Sequence, residues 1–300
     1  MTTWAALARD TRTRLSAAGI ESAEAEARWI LEHVGAPAAA TVAGNRAEVP
    51  ARAAARAAVL TDRRAAGEPL QYVLGEWSFA GLDLFVDRRV LIPRPETEVV
   101  AEVAVGEAVR LGERTGRADP WAGAATTYRV ADLGTGSGAL ALALACSLPD
   151  AEVWATDVSP DALAVARANL AGAGTPSARV RLASGSWFHA LPAELRGTFL
   201  LVVSNPPYIA ESELDGLPAE VRDHEPVGAL VGGARGTEAV EEIVAGAPGW
   251  LRPDGALVCE IAPHQAAGMV RLARRSGFAD VSVRPDLAGL DRVLVARRSR

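Results

Sequence analysis

The sequence predicts an α/β fold: a seven-stranded, mostly parallel sheet with helices on both faces, preceded by a small helical domain and a linking β-hairpin. Three observations predict it. From residue 128 to the end, short apolar runs alternate with helical patterns, the order that builds parallel sheets. The first of these runs leads through a glycine-rich turn directly into a helix. Residues 1–66 instead carry helical stripes and no strand alternation.

Taken in order, Leu7, Leu15, Ile20, Trp29, Ile30, Leu31 and Val34 sit at spacings that suit short helices. Ser22, before Glu24 and Glu26, reads as the cap of the second, and Pro37 and Pro50 interrupt the pattern. Arg52, Arg56, Arg63 and Arg64 recur at helical spacing and read first as a solvated face, second as a binding patch. Residues 68–92 alternate apolar and polar positions about Gly81 and read as the hairpin. Pro93 and Pro95 lead into a helix from about Glu96 to Leu111, and a loop follows over 112–127. Strands are expected near 128–133, 152–157, 179–184, 199–204, 255–261, 279–284 and 291–297. Helices are expected near 139–147, 160–172, 236–251 and 264–276. The domains are therefore read as 1–66, a linker at 67–92, and 93–300. The stretch 209–235 is long for a structureless connection, which marks it as functional or mobile.

Composition narrows the function. The net charge of −6 argues against phosphate-backbone binding as the main task, so no direct nucleic-acid partner is expected. The charge total contains 31 basic residues, and every one is arginine. Cys146 and Cys259 lie in apolar runs and read as reduced core thiols of a cytoplasmic protein. The N-terminus lacks the apolar core of a signal peptide, and no apolar run reaches the about 18 residues of a membrane span. His33, His189, His224 and His264 show no metal-ligand spacing, so no metal is expected.

The run ADLGTGSGALALALA places Gly134, Thr135, Gly136, Ser137 and Gly138 between a strand and a helix. Glycine there tolerates positive φ and lets a ligand approach the backbone, while the helix start offers free N–H groups. Asp157 ends the next strand, where an acid accepts hydrogen bonds from ribose hydroxyls. Together they indicate a nucleoside cofactor. The spacing is G-x-G-x-G, with Ala139 where the dinucleotide fingerprint has its last glycine, which tilts the choice toward S-adenosylmethionine.

The discriminating element is LLVVSNPPYIA. A buried strand ends at Ser204, and Asn205, Pro206, Pro207 and Tyr208 follow at once. Proline fixes its own φ and restricts the residue before it, so this turn is stiff. Neither proline has an N–H, so a planar NH2 group meets mainly acceptors. An amide nitrogen is a poor nucleophile because its lone pair is delocalised. Acceptors at the Asn205 side chain and the Pro206 carbonyl would orient that nitrogen, and Tyr208 would pack on the planar group.

At these residues the chain resembles the HemK/PrmC methyltransferases, which modify the Gly-Gly-Gln glutamine of peptide chain release factors. The resemblance spans nearly the whole chain, through EPLQYVLGEWSF, FVDRRVLIPRPETE, ADLGTGSG, ATDVSPDAL, SNPPYI, HEP at 224–226 and LDRVLVA. It implies a Rossmann-like class I methyltransferase fold, S-adenosyl-L-methionine as cofactor and S-adenosyl-L-homocysteine as product. Gly134, Thr135, Gly136, Ser137 and Gly138 would hold the methionine part and Asp157 the ribose. Ser186, Trp187 and Asn205 complete the implied cofactor site, with Trp187 beside the adenine. Asn205, Pro206, Pro207 and Tyr208 would receive the glutamine, and residues 1–66 would help recognise the release factor. IPRPETE points to the release-factor branch rather than to relatives that modify a ribosomal protein. Two positions depart from the family pattern: Ser186 stands where many relatives carry an acid, and Ala262-Pro263 where many have glycine.

Three rival readings remain at this level. The substrate is another protein glutamine, or it is adenine in nucleic acid, or the chain is a non-catalytic cofactor-binding scaffold. The acidic charge opposes the second and the intact Asn-Pro-Pro-Tyr opposes the third. Glu225 reads first as a loop anchor, and Glu260, ending a strand on the ligand side, reads equally as structural or functional.

Overall fold

A computed structural model describes residues 2–37, 47–114 and 128–300. Most of the loop expected at 112–127 lies outside the described residues. The chain forms two units, one of Met1–Glu76 with Pro218–His224, the other of Trp77–Leu217 with Glu225–Arg300.

The first unit opens with α1 (Trp4–Ala17), whose N-cap Thr3 side chain accepts from the Ala6 N–H at 3.3 Å. In α2 (Ala23–His33), Ser22 is not the side-chain cap the sequence indicated. Its ψ of 21° leaves the extended region that capping geometry uses, and its hydroxyl donates to Glu26 Oε1 at 2.7 Å instead. Pro50 precedes α3 (Ala51–Ala65). Leu15, Ile30, Leu60, Leu70 and Val73 form this unit's core. The arginines of α3 are not a uniform solvated face. Arg64 is buried and binds Glu26 and Glu220, and Arg63 pairs with Glu68. A buried guanidinium requires such partners.

The segment read as a hairpin from residue 68 begins as a helix, α4 (Leu70–Leu74). Pro69 starts this single turn, and Gly75, at φ 80°, ends it. The hairpin proper is β1 (Glu76–Phe79) and β2 (Leu82–Phe85), turning at Ala80-Gly81. Then come α5 (Pro95–Arg114), β3 (Tyr128–Leu133), α6 (Ala139–Ser147), β4 (Ala151–Asp157), α7 (Pro160–Gly172), β5 (Val180–Ser184) and β6 (Phe199–Ser204). At Leu217 the chain leaves the second unit, and α8 (Ala219–His224) belongs to the first. The second unit resumes with α9 (Val227–Leu230), α10 (Glu238–Gly246), β7 (Leu251–Glu260), α11 (Ala266–Arg275), β8 (Asp280–Pro285) and β9 (Asp291–Arg297).

The helix expected over 236–251 is shorter because Pro248 and Gly249 tighten it into a 3-10 turn, and Leu251 already begins β7. The sheet order is β5-β4-β3-β6-β7-β9-β8. β3 to β7 run parallel, and β9 enters antiparallel between β7 and β8. Helix α6 has seven successive buried residues, Ala139 to Ala145, so it is covered on every side. Cys146 follows that run and is exposed, a correction to its reading as a core residue, whereas Cys259 is buried. Among the described residues no helix is long and apolar enough to cross a membrane.

Candidate active site

The sheet brings the site together. The order reverses between β3 and β6: from β3 the chain builds outward through β4 to β5, then returns to the other side. Ligands bind at the strand C-termini at such a switch point. Strand register aligns the ends. Leu133 pairs with Thr156 and with Ser204, Ser204 pairs with Cys259, and Asp157 pairs with Ser184. The next residues along three of these strands are Gly134, Asn205 and Glu260, so the glycine loop and the Asn-Pro-Pro-Tyr turn begin side by side.

A cavity of about 420 Å³ opens there. Gly134, Thr135, Gly136, Ser137, Asp157, Ser186, Trp187, Asn205 and Pro207 all line it, together with Thr97 and residues 226, 228 and 229. Among the other residues singled out from the sequence, Gly138, Pro206 and Tyr208 are not part of the lining. Gly138 is the N-cap of α6 at φ 83°, Pro206 is buried, and Tyr208 turns toward Glu260.

The glycine loop is shaped for close approach. Gly134, Gly136 and Gly138 have φ of 73°, 56° and 83°. A Cβ on Gly134 would lie 3.0 Å from the Trp187 ring. Trp187 itself has φ 44°, a conformation costing a bulky residue on the order of 1–3 kcal/mol and found at functional sites. The Asp157 carboxylate accepts from the Gly136 and Ser159 N–H groups, each at 2.9 Å. Asp132 is fully buried below the loop and accepts from the Thr135 hydroxyl at 2.6 Å and the Ala141 N–H at 3.1 Å. Its other oxygen has no protein partner, and burial pushes its pKa up to about 7. A loop open to backbone approach, an acid at its side and an unpartnered buried oxygen beneath suit a ligand carrying ribose and amino-acid parts.

The Asn-Pro-Pro-Tyr turn is held from behind. Asn205 Nδ2 donates to Thr97 Oγ1 at 3.0 Å, and Thr97 Oγ1 donates to Glu260 Oε2 at 2.7 Å. Tyr208 donates its hydroxyl proton to Glu260 Oε1 at 3.3 Å. Burial raises the pKa of both Tyr208 and Glu260, the latter to about 7, with Arg292 opposing. Gly232 and Gly236 allow the adjacent loop to press on the turn. A Cβ at Gly232 would lie 2.3 Å from the Pro207 carbonyl oxygen, and one at Gly236 would lie 2.7 Å from that of Tyr208. Gln265 Nε2 donates to the carbonyls of Tyr208 and Gly236. Glu225 accepts from the Ile92 N–H and pairs with Arg94, the anchor its sequence reading favoured. The long stretch 209–235 is thus largely ordered: Ile209 bridges to Val231, and two helices and a 3-10 turn lie within it.

Sequence reasoning did not single out Thr97, Gly232, Gly236 or Gln265. Thr97 lay within IPRPETE, and the glycines within VGGARG, but no local signal showed what they would face.

Comparison with known proteins identifies the family. Residues 6–75 match the PrmC N-terminal domain, and residues 122–218 match the methyltransferase small domain. The release factor glutamine methyltransferase of Deinococcus radiodurans is 41% identical over 287 residues, covering 95% of each chain. That of Moorella thermoacetica is 43% identical over 291 residues, again covering 95% of each. The crystal structure of a methyltransferase from Pyrococcus furiosus superposes with a TM-score of 0.50 at 17% identity, covering 73% of this chain and 90% of its own, a likeness of fold alone. With such identity along almost its full length, this chain belongs to the release factor glutamine methyltransferase family.

Proposed function

We propose that the protein transfers a methyl group from S-adenosylmethionine to the side-chain amide nitrogen of the glutamine in the Gly-Gly-Gln motif of peptide chain release factors, in the cytoplasm where those factors act. The observation that carries this reading is the placement of Asn205, one strand from the glycine loop and on the wall of the same cavity.

The cofactor supplies an electrophilic methyl group when bound. The chain's own residues do the rest. Backbone at Gly134 to Ser137 and the carboxylate of Asp157 would hold the cofactor, with Gly138 turning the chain into α6 behind them. Trp187 lies across the loop and offers a flat face to the base. The Asn205 side-chain oxygen on the cavity wall accepts one N–H bond of the substrate amide, and the Pro206 carbonyl, at its peptide junction with the cavity-lining Pro207, accepts the other. With both bonds fixed, the nitrogen lone pair is aimed in one direction. Holding reactants in such alignment contributes on the order of 7–11 kcal/mol in favourable cases. The turn is stiff because Pro206 and Pro207 are locked, so little reorganisation is needed. No base of the chain is assigned, since a protonated N-methyl amide sheds its proton readily to water.

The test is incubation of the full-length protein with labelled S-adenosylmethionine and separate samples of release factor, ribosomal protein and DNA, followed by mass mapping. Label on the Gly-Gly-Gln glutamine supports the reading. Label on another glutamine or on adenine overturns the substrate assignment.

A further inference from the structure

We propose that Thr97 and Glu260 are positioning residues that fix the Asn205 side chain with its oxygen toward the substrate, an inference that rests on the role just given to Asn205.

The argument is one of proton counting. Thr97 stands in the first turn of α5, Glu260 at the end of β7, and Asn205 just after β6, so three separate elements meet. Thr97 is 5% exposed and Glu260 1%, so water does not compete freely for their hydrogen bonds. A threonine hydroxyl has one proton to give. Thr97 gives it to Glu260 Oε2 at 2.7 Å, because an ionised carboxylate can only accept. The Thr97 oxygen then has only lone pairs left for Asn205. Only the NH2 end of the asparagine can meet a lone pair, and it does so at 3.0 Å. The Asn205 oxygen is therefore the end left for the substrate.

This orientation matters because the substrate group is itself an NH2. The reversed asparagine would set one NH2 against another and form no hydrogen bond. The same carboxylate holds the other end of the turn through the Tyr208 hydroxyl at 3.3 Å. One buried acid thus disciplines both Asn205 and Tyr208.

The groups facing Glu260 are Thr97 and Glu96 from α5, Tyr208 from the turn, and Arg292 from β9. Burial places the Glu260 carboxyl at about 7. Below that pH the acid becomes a donor toward its neighbours, and the polarity that orders the relay is lost.

The experiment uses the full-length protein, labelled S-adenosylmethionine and a folded release factor, with Thr97→Val, Thr97→Ser and Glu260→Gln. Side-chain amide NMR of 15N-asparagine-labelled wild type and Thr97→Val runs beside it, with Asn205→Ser used to assign the Asn205 signal. Thr97→Val keeps the side-chain shape and removes the hydroxyl; it should lower kcat about 10- to 100-fold, with KM and cofactor Kd within about threefold. Thr97→Ser restores the hydroxyl and should return kcat to within about threefold of wild type. Glu260→Gln should lower kcat and flatten the acid limb near pH 7. The Asn205 amide protons should exchange with water faster in Thr97→Val than in wild type. Wild-type kcat in Thr97→Val overturns the proposal, as does a serine variant as poor as the valine one. Identical Asn205 signals in wild type and Thr97→Val also overturn it. If wild type methylates no release factor while the Asn205 signal still depends on Thr97, the substrate reading fails and the positioning stands.

Discussion

Leu133 and Ser204 are register partners on neighbouring parallel strands, and the buried Ser204 hydroxyl donates to the Leu133 carbonyl at 2.6 Å. This pairing sets the two functional loops at one level, because the residue after each partner opens its loop. Gly134 starts the segment proposed to hold the cofactor, and Asn205 starts the one proposed to receive the planar amide. The distance between them is fixed by a sheet whose central strands are buried, not by mobile loops.

Asp157 joins two loop N–H groups through one carboxylate, Gly136 and Ser159 at 2.9 Å each. Asp157→Ala should weaken S-adenosylmethionine binding by about 1–3 kcal/mol through loss of the charge-assisted ribose bond. Calorimetry on the two proteins measures it. Equal affinities would remove Asp157 from the cofactor site.

Gly232→Ala should damage catalysis without touching the cofactor. The added Cβ would lie 2.3 Å from the Pro207 carbonyl oxygen, a backbone atom that cannot swing aside. Relief requires moving the Asn-Pro-Pro-Tyr turn or the Gly232 loop that presses on it, and either changes how the turn is held. A shift of about 1 Å at a positioned group costs up to about 100-fold in rate. Steady-state assays should show kcat falling and cofactor Kd unchanged. Full activity in this variant would show that the turn tolerates displacement.

Arg64 is a stability residue of the first unit, contacting Glu26 from α2 and Glu220 from α8. Its side chain is 5% exposed, Glu26's 7% and Glu220's 46%. Arg64→Ala leaves the buried Glu26 charge unpaired and should cost about 3–5 kcal/mol. Glu220→Gln removes only a half-exposed partner and should cost less than about 1 kcal/mol. Urea unfolding of the two variants separates them. Equal losses would mean that α8, rather than the buried pair, carries the stability.

Much of this architecture is legible in the sequence. The strands of the sheet begin within a residue or so of their expected positions, β7 excepted, because buried parallel strands are short apolar blocks bounded by turn residues. That Gly134 to Ser137, Asp157 and Asn205 meet at one cavity was legible because each is marked by its own few neighbours in sequence at a strand end. What escaped was tertiary. Thr97 and Glu260 stand 163 residues apart, and nothing in either neighbourhood names the other. The burial of Arg64 depends on Glu26 and on Glu220, which is 156 residues away in a segment that joins the first unit from within the second. Helix α4 is five residues long, too short for periodicity to show, and is set by Pro69 and Gly75.

Asp132 and Glu260 make stability depend on pH in an uncommon direction. Burial raises both pKa values to about 7, from ordinary values of 3.8 and 4.5. The folded protein then binds more protons than the unfolded chain between about pH 4 and 7, so stability falls as pH rises through that window and levels above it. A carboxyl displaced this far contributes on the order of 3 kcal/mol across the window. Asp132→Asn and Glu260→Gln remove the slope. Their melting temperatures relative to wild type should therefore improve from pH 5 to pH 8. Parallel curves would show that both carboxylates ionise in the folded state as easily as in the unfolded one.

Asn205→Ala is the sharpest test of the mechanism. The variant loses the oxygen proposed to accept one N–H of the substrate amide, while Gly134 to Gly138 and Asp157 are untouched. An interaction that counts most as the nitrogen is aimed appears in kcat rather than in ground-state binding. Turnover should fall by at least about 100-fold, the scale of one misplaced or missing orienting group. Cofactor Kd should stay within about threefold, because a small effect on binding accompanies loss of a group acting on the other reactant. Asn205→Asp discriminates further: its carboxylate still accepts, but it has no NH2 to give Thr97, and its charge would face Thr97 in competition with buried Glu260. It should also be slow, and slower still as pH rises and both acids ionise. Single-turnover assays with a folded release factor, read by mass spectrometry, measure the rates of both variants, and calorimetry measures the cofactor Kd. Undiminished methylation by Asn205→Ala would remove the asparagine from catalysis and leave the two prolines alone to orient the amide.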